Sequence, residues 1–119
     1  MKREAMLEES LAKAKDLSIE EPRSMAALLD GYPWLPRMID KARAARAGSL
    51  GAHYRYPCPI DVACLRLLRL SSDAFADLAV ASTTDNAVLR SLRSRCAQLP
   101  DLVAFDPLAL NERLHRGGS

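Results

Sequence analysis

The 119-residue sequence has few of the residues that carry catalysis or metal binding: two histidines, three cysteines and 5% aromatic residues. The histidines, His53 and His115, have no partners at ligand spacing, so we expect no metal site and no cofactor. The cysteines are odd in number and lack the Cys-x-x-Cys spacing, which favours free thiols in a reducing compartment. We therefore expect a cytoplasmic protein.

The sequence also lacks a long apolar run and an excess of one charge. The longest candidate run is interrupted by Arg66 and Arg69, and a bilayer-spanning helix needs about eighteen apolar residues. The N-terminus carries acids and no apolar signal segment. The formal net charge is +2, and the basic residues scatter over several faces. We therefore expect neither membrane insertion nor a nucleic-acid partner.

Apolar residues recur with helical spacing through most of the chain, which predicts an all-α fold. With their capping residues, they predict helices at 3–17, between Ser24 and Gly31, at 36–47 with Gly48 as the stop, at 59–70, after Ser72, after Thr84, and around 108–114 after Asp106. Residues 48–57 contain two glycines and alternating aromatics, which predicts a loop or a short extended segment.

These elements predict a single domain over residues 1–119 that folds as a small compact bundle of about five to seven short helices. Helix follows helix through short turns, without a repeat or a linker. The apolar pattern loosens after Pro100, so we expect a loosely ordered segment at 100–119.

The most distinctive stretch runs from Trp34 to Arg43 and concentrates charge on one helix near all the tyrosines. Arg37 and Lys41 lie one turn apart and could bind a carboxylate or phosphate, with Asp40 either orienting Arg37 or binding a cationic group. Trp34, with the tyrosines at positions 32, 54 and 56, could roof a pocket. The alternatives are a solvated helix face and aromatic side chains that pack in the core.

Cys58 offers a second candidate site, because it precedes Pro59 at the start of a helix, where the helix dipole favours a thiolate. His53, five residues upstream, could act as its base. The alternative is a small packed side chain, since no supporting Asn or Asp is evident from the spacing. Asp61 lies in the first helical turn, where it compensates the dipole.

Three segments together resemble a known family. They are Pro22-Arg23-Ser24, the stretch from Leu35 to Arg43, and Tyr54 through Cys58-Pro59-Ile60-Asp61. They are similar to the bacterial family called domain of unknown function 5069, over residues of about 20–97. That family has no assigned activity. The resemblance therefore implies only that its motif positions are matched by Arg37, Asp40, Lys41, Arg43, Cys58 and Asp61.

The leading functional hypothesis is a non-enzymatic helical module. It would bind a small anionic ligand or a partner protein through the helix face formed by Arg37, Asp40 and Lys41, together with the loop from Tyr54 to Asp61. One alternative is an enzyme that uses Cys58 or Lys41. Another is a structural homo-oligomer, because a small core gains stability when apolar helices pair between copies.

Overall fold

The computed structural model describes residues 14–117. Within these residues it contains five α-helices, α1 Leu35–Ala47, α2 Pro59–Leu68, α3 Ser72–Ala81, α4 Asp85–Arg95 and α5 Pro107–Gly117, together with a 3₁₀ helix, η1, at Leu99–Ala104. A two-stranded antiparallel sheet pairs β1 Leu28–Leu29 with β2 Tyr32–Pro33. The predicted small helical bundle is thus confirmed. In the described residues, no helix has the length and hydropathy needed to cross a membrane.

Capping residues define the helix ends largely as the sequence predicts. Gly48 ends α1 in the left-handed conformation, with a φ of 73°. The Thr84 hydroxyl accepts a hydrogen bond from the Ala87 amide at the start of α4, and the Asp106 carboxylate does the same for the Ala109 amide of α5. The cap of α3 is Ser71 rather than Ser72, a shift of one residue.

The predicted helix between Ser24 and Gly31 is wrong, because this segment forms the β1–β2 hairpin. Leu29 pairs with Tyr32, which leaves Asp30-Gly31 as the turn. Both turn residues have positive φ, 51° and 83°, as a two-residue hairpin turn of this type requires. Asp-Gly is the sequence signal for such a turn, and it outweighs the weak helical spacing of three apolar residues.

Three further predictions concern the two ends of the chain and the loop between α1 and α2. Residues 48–57 form a loop without a strand, so of the two predicted forms for this segment the loop is confirmed. Residues 14–17 are not helical, and the remainder of the predicted helix at 3–17 lies outside the described residues. The region after Pro100, expected to be loosely ordered, contains η1 and α5.

Helix α1 lies at the centre of the core. Its apolar side chains are fully buried at Leu35, Met38, Ile39 and Ala42. They join a cluster that includes Phe75 from α3, Val88 and Leu92 from α4, and Leu99 and Leu102 from η1. Because other segments surround α1, its polar side chains also contact protein rather than only water.

Candidate functional site

A buried ion pair joins α1 to α2. Lys41 Nζ lies 2.7 Å from Asp61 Oδ2, and the two side chains are 4% and 0% exposed. Lys41 also lies 5.7 Å from the centre of the Trp34 ring. A nucleophilic lysine must be accessible and unprotonated. The geometry of Lys41 instead favours a role in holding the two helices together.

Asp61 accepts three hydrogen bonds, which compensates for its burial. Trp34 Nε1 donates to Oδ1 at 2.7 Å, while Lys41 Nζ and the Cys58 amide donate to Oδ2 at 2.7 and 2.9 Å. The Asp61 amide in turn donates to Cys58 Sγ at 3.5 Å, which completes a capping box at the start of α2. The carboxylate therefore does more than compensate the helix dipole.

Trp34 reaches Asp61 from an unusual backbone conformation. It caps the N-terminus of α1 with a φ of 72°, in the left-handed region that bulky residues seldom occupy. Such a conformation costs about 1–3 kcal/mol and persists when the surroundings favour it. Burial of the indole and its hydrogen bond to Asp61 provide that compensation.

A second ionic cluster ties α1 to the N-terminal segment and to α4. Arg23 Nε and Nη2 each lie 3.1 Å from an Asp40 oxygen, and its amide also donates to Asp40. The same guanidinium donates to both carboxylate oxygens of Asp85. Lys15 Nζ approaches Asp40 at 3.3 Å. Asp40 thus pairs with Arg23 and Lys15, not with Arg37 as its spacing suggested.

The pKa values in this second cluster follow from its geometry. Burial disfavours the charge of Arg23, but hydrogen bonds to Asp85 and Asp40 outweigh it and raise the Arg23 pKa. The hydrogen bond from Arg23 lowers the Asp85 pKa below its usual value of 3.8. Arg23 and Asp85 are therefore both charged at neutral pH.

Two further cations of α1, Arg43 and Arg46, contact α3. Arg43 donates to the carbonyls of Ala79 and Ser82, at 3.0 and 2.6 Å, where the last turn of α3 leaves carbonyls without helical partners. Burial lowers the Arg43 pKa. Arg46 lies on the surface and pairs with Asp77 and Asp73.

Arg37 differs from these neighbours. Its guanidinium carbon lies 5.8 Å from the centre of the Trp34 ring and 5.7 Å from that of Tyr54. Its Nη1 donates to the Arg23 carbonyl at 3.1 Å. Among the described residues, no carboxylate forms an ion pair with it. The half-buried Arg37 guanidinium is therefore held by aromatic contacts and one carbonyl. Its other N–H donors have no partner within residues 14–117.

The structure brings together only some of the residues that the sequence singled out. Asp40 and Lys41 are buried, so a fully solvated face is excluded for them. Tyr54 contacts Arg37 as a pocket wall would, whereas the Tyr56 hydroxyl donates to the Ser72 carbonyl. His53 is exposed and lines a different pocket from Cys58, which does not favour His53 as its base.

Three members of the ionic clusters were missed by the sequence analysis: Lys15, Arg23 and Asp85. Arg23 was noted only as part of a motif, and Asp85 was not singled out, since an acid at the start of a helix compensates the dipole. Their contact crosses 62 positions of sequence. No local pattern signals such a pair.

These features define a small helical protein in which charged motif residues tie a central helix to its neighbours. The chain belongs to the family described as domain of unknown function (DUF5069), whose model matches residues 19–102. The match includes the Arg23 motif, all of α1 and the Cys58–Asp61 capping box. Comparison with curated proteins finds no matching relative.

Proposed function

We propose that this protein is a binding module whose ligand carries a carboxylate or phosphate group, and that Arg37 is the residue that binds it. The observation that carries this proposal is the contrast within α1. Asp40, Lys41 and Arg43 each form hydrogen bonds or ion pairs with protein groups, whereas Arg37, among residues 14–117, has aromatic contacts and a single carbonyl partner. This narrows the predicted anion-binding face to one cation.

The chemistry of a guanidinium supports this class of ligand. Its planar group presents N–H donors in a fork that matches two oxygens of a carboxylate or phosphate. Contacts with Trp34 and Tyr54 restrict its motion, which lowers the entropy lost when a ligand is ordered on it. The anion could belong to a small metabolite or to an acidic segment of a partner protein.

A thermal-shift screen tests this proposal with the full chain. Its arms are phosphate monoesters, di- and tricarboxylates, short acidic peptides, and short DNA and RNA oligonucleotides. The variants are Arg37→Ala, which removes the guanidinium, and Arg37→Lys, which keeps the charge but loses the fork. Arg46→Ala is the matched control, because Arg46 is on the same helix and already paired with acids.

We expect one arm to raise the melting temperature of the wild type and of Arg46→Ala. A ligand at 100 times its Kd stabilises by about 2.7 kcal/mol, which is readily detected as a shift. Arg37→Ala should abolish the shift and Arg37→Lys should reduce it. A shift that survives in Arg37→Ala, or no shift in any arm, would contradict the proposal.

A second candidate function is self-association, favoured by the position of exposed apolar side chains. Leu28, Val103 and Leu108 are 62%, 65% and 52% exposed, and all three line one groove of about 350 Å³. Large apolar side chains gathered at one place mark an interaction surface. A second copy fits it, because a two-fold axis lets projecting side chains of each copy enter the groove of the other.

Light scattering across a concentration series tests self-association. We expect dimer in the wild type and monomer in Val103→Asp, because a charge buried in the apolar interface disfavours pairing. Ile19→Asp is the control, since Ile19 is 83% exposed and lies outside that groove. A monomeric wild type at high concentration would remove this candidate.

We also propose that the protein folds as a single domain and that it is located in the cytoplasm. The three cysteines are free in the structure, and Cys64 and Cys96 are buried. Free buried thiols persist best in a reducing environment. This supports a protein of the cytoplasm.

A further inference from the structure

Two reactive side chains from distant parts of the chain meet at one pocket. Cys58, at the start of α2, and His115, in α5, both line a cavity of about 250 Å³. Its other walls are Pro59, Ile60, Asn111 and Leu114. The pocket is separate from the Arg37 site, and nothing in the ionic clusters uses the His115 imidazole.

Cys58 is placed as a nucleophile would be. Its Sγ accepts a hydrogen bond from the Asp61 amide, and the positive end of the α2 dipole lies beside it. Both features place positive partial charge beside the sulfur. The nearest carboxylate, Asp61, is neutralised by its pair with Lys41.

The other two cysteines provide an internal contrast. Cys64 and Cys96 are buried, whereas Cys58 is half-exposed. Burial raises the pKa of both Cys64 and Cys96, which keeps these thiols protonated and poorly nucleophilic. Cys58 is thus the thiol that an external reagent reaches first.

The His115 side chain is exposed and lines the same pocket as Cys58. Its Nδ1 lies 2.8 Å from the carbonyl oxygen of Asn111, and this contact is a hydrogen bond when Nδ1 carries the hydrogen. That tautomer leaves Nε2 as the basic nitrogen. A backbone carbonyl that fixes the tautomer of a histidine is a common arrangement around functional imidazoles.

We propose that Cys58 and His115 form a thiol site for a small electrophile with an apolar substituent. In the reaction, Cys58 Sγ forms a bond to the electrophilic carbon, while its proton passes to His115 Nε2. The bond between that carbon and its leaving group breaks, and the leaving group departs with the electron pair. Ile60 and Leu114 provide the apolar wall for the substituent.

Iodoacetamide is the probe, because iodide is then the leaving group. The full-length protein is alkylated at a fixed neutral pH, and peptide mass spectrometry follows each cysteine separately. The variants are Cys58→Ser, which preserves a good helix cap, and His115→Ala. His53→Ala is the matched control, because the only other histidine is exposed and lines a different pocket.

We expect Cys58 to react about tenfold faster than the same cysteine in a short unstructured peptide, because a histidine base lines the same pocket. His115→Ala should remove most of that gain, while His53→Ala should retain it. Circular dichroism checks that each variant is folded. Equal rates in protein and peptide, or an unchanged rate in folded His115→Ala, would overturn the proposal, and neither result bears on anion binding at Arg37.

Discussion

Helix α1 carries two close ion pairs in contrasting surroundings. Lys41 meets Asp61 at 2.7 Å, and Arg46 meets Asp77 at 2.6 Å, so distance does not separate them. Exposure does: the first pair is almost completely buried, whereas the Arg46 and Asp77 side chains are 37% and 70% exposed. Water screens the second pair and leaves the first unscreened.

The comparison shows what each pair contributes to the fold. A surface pair has little net effect, because its attraction only replaces good hydration. A buried pair has already lost its hydration, so each partner depends on the other. The Trp34 indole and the Cys58 amide complete the set of donors to Asp61. The buried pair therefore fixes the position of α2 against α1, whereas the surface pair contributes little to the stability of the fold.

The largest expected effect follows from Asp61→Asn. This change keeps the side-chain shape but leaves the Lys41 ammonium buried without an anionic partner. We expect a loss of about 3–5 kcal/mol in the free energy of unfolding, measured by urea denaturation. Arg46→Ala, the surface counterpart, should lose less than about 1 kcal/mol.

A second substitution separates the ion pair from simple damage to the core. Adding Lys41→Met to Asp61→Asn removes the unpaired charge, so the double variant should recover part of the lost stability. Equal losses for Asp61→Asn and Arg46→Ala would contradict the comparison. The comparison would also be contradicted if the double variant lost more unfolding free energy than Asp61→Asn and Lys41→Met lose separately, added together.

The sequence predicted the helices well where local chemistry decides the structure. Thr84, Asp106 and Gly48 mark helix ends by hydrogen bonds or backbone conformations that involve neighbouring residues. The segment between Ser24 and Gly31 was predicted as a helix because three apolar residues suit either structure. Only the turn chemistry of Asp30-Gly31 distinguishes the hairpin.

The candidate site was predictable in composition but not in its pairings. The segment from Trp34 to Arg43 was recognised as distinctive, and its charges do have specific roles. Their partners, however, lie far away in sequence: Asp61 is 20 positions from Lys41, and Asp85 is 62 from Arg23. Helical spacing relates residues on one helix, so it cannot identify a partner supplied by another segment.

Asp85 lies between the two extremes of burial, and its predicted effect on stability is smaller than that of Asp61. Its side chain is 32% exposed, and the hydrogen bond from Arg23 lowers its pKa below the usual 3.8. A lowered folded-state pKa stabilises the fold above the unfolded-state pKa, and this contribution is lost as the pH falls through the folded value. Partial exposure limits it to roughly 1 kcal/mol.

Comparison of the wild type with Asp85→Asn isolates that contribution. The difference in their free energies of unfolding should be largest near pH 7 and should shrink below about pH 4, because protonated Asp85 resembles asparagine. Asp77→Asn is the control, since Asp77 is more exposed and pairs only at the surface. If the wild type were more stable than Asp85→Asn by the same amount from pH 7 to pH 3, the charge of Asp85 would not be the cause of the difference. The contact between Arg23 and Asp85 would then contribute as little electrostatic stabilisation as the Arg46–Asp77 surface pair.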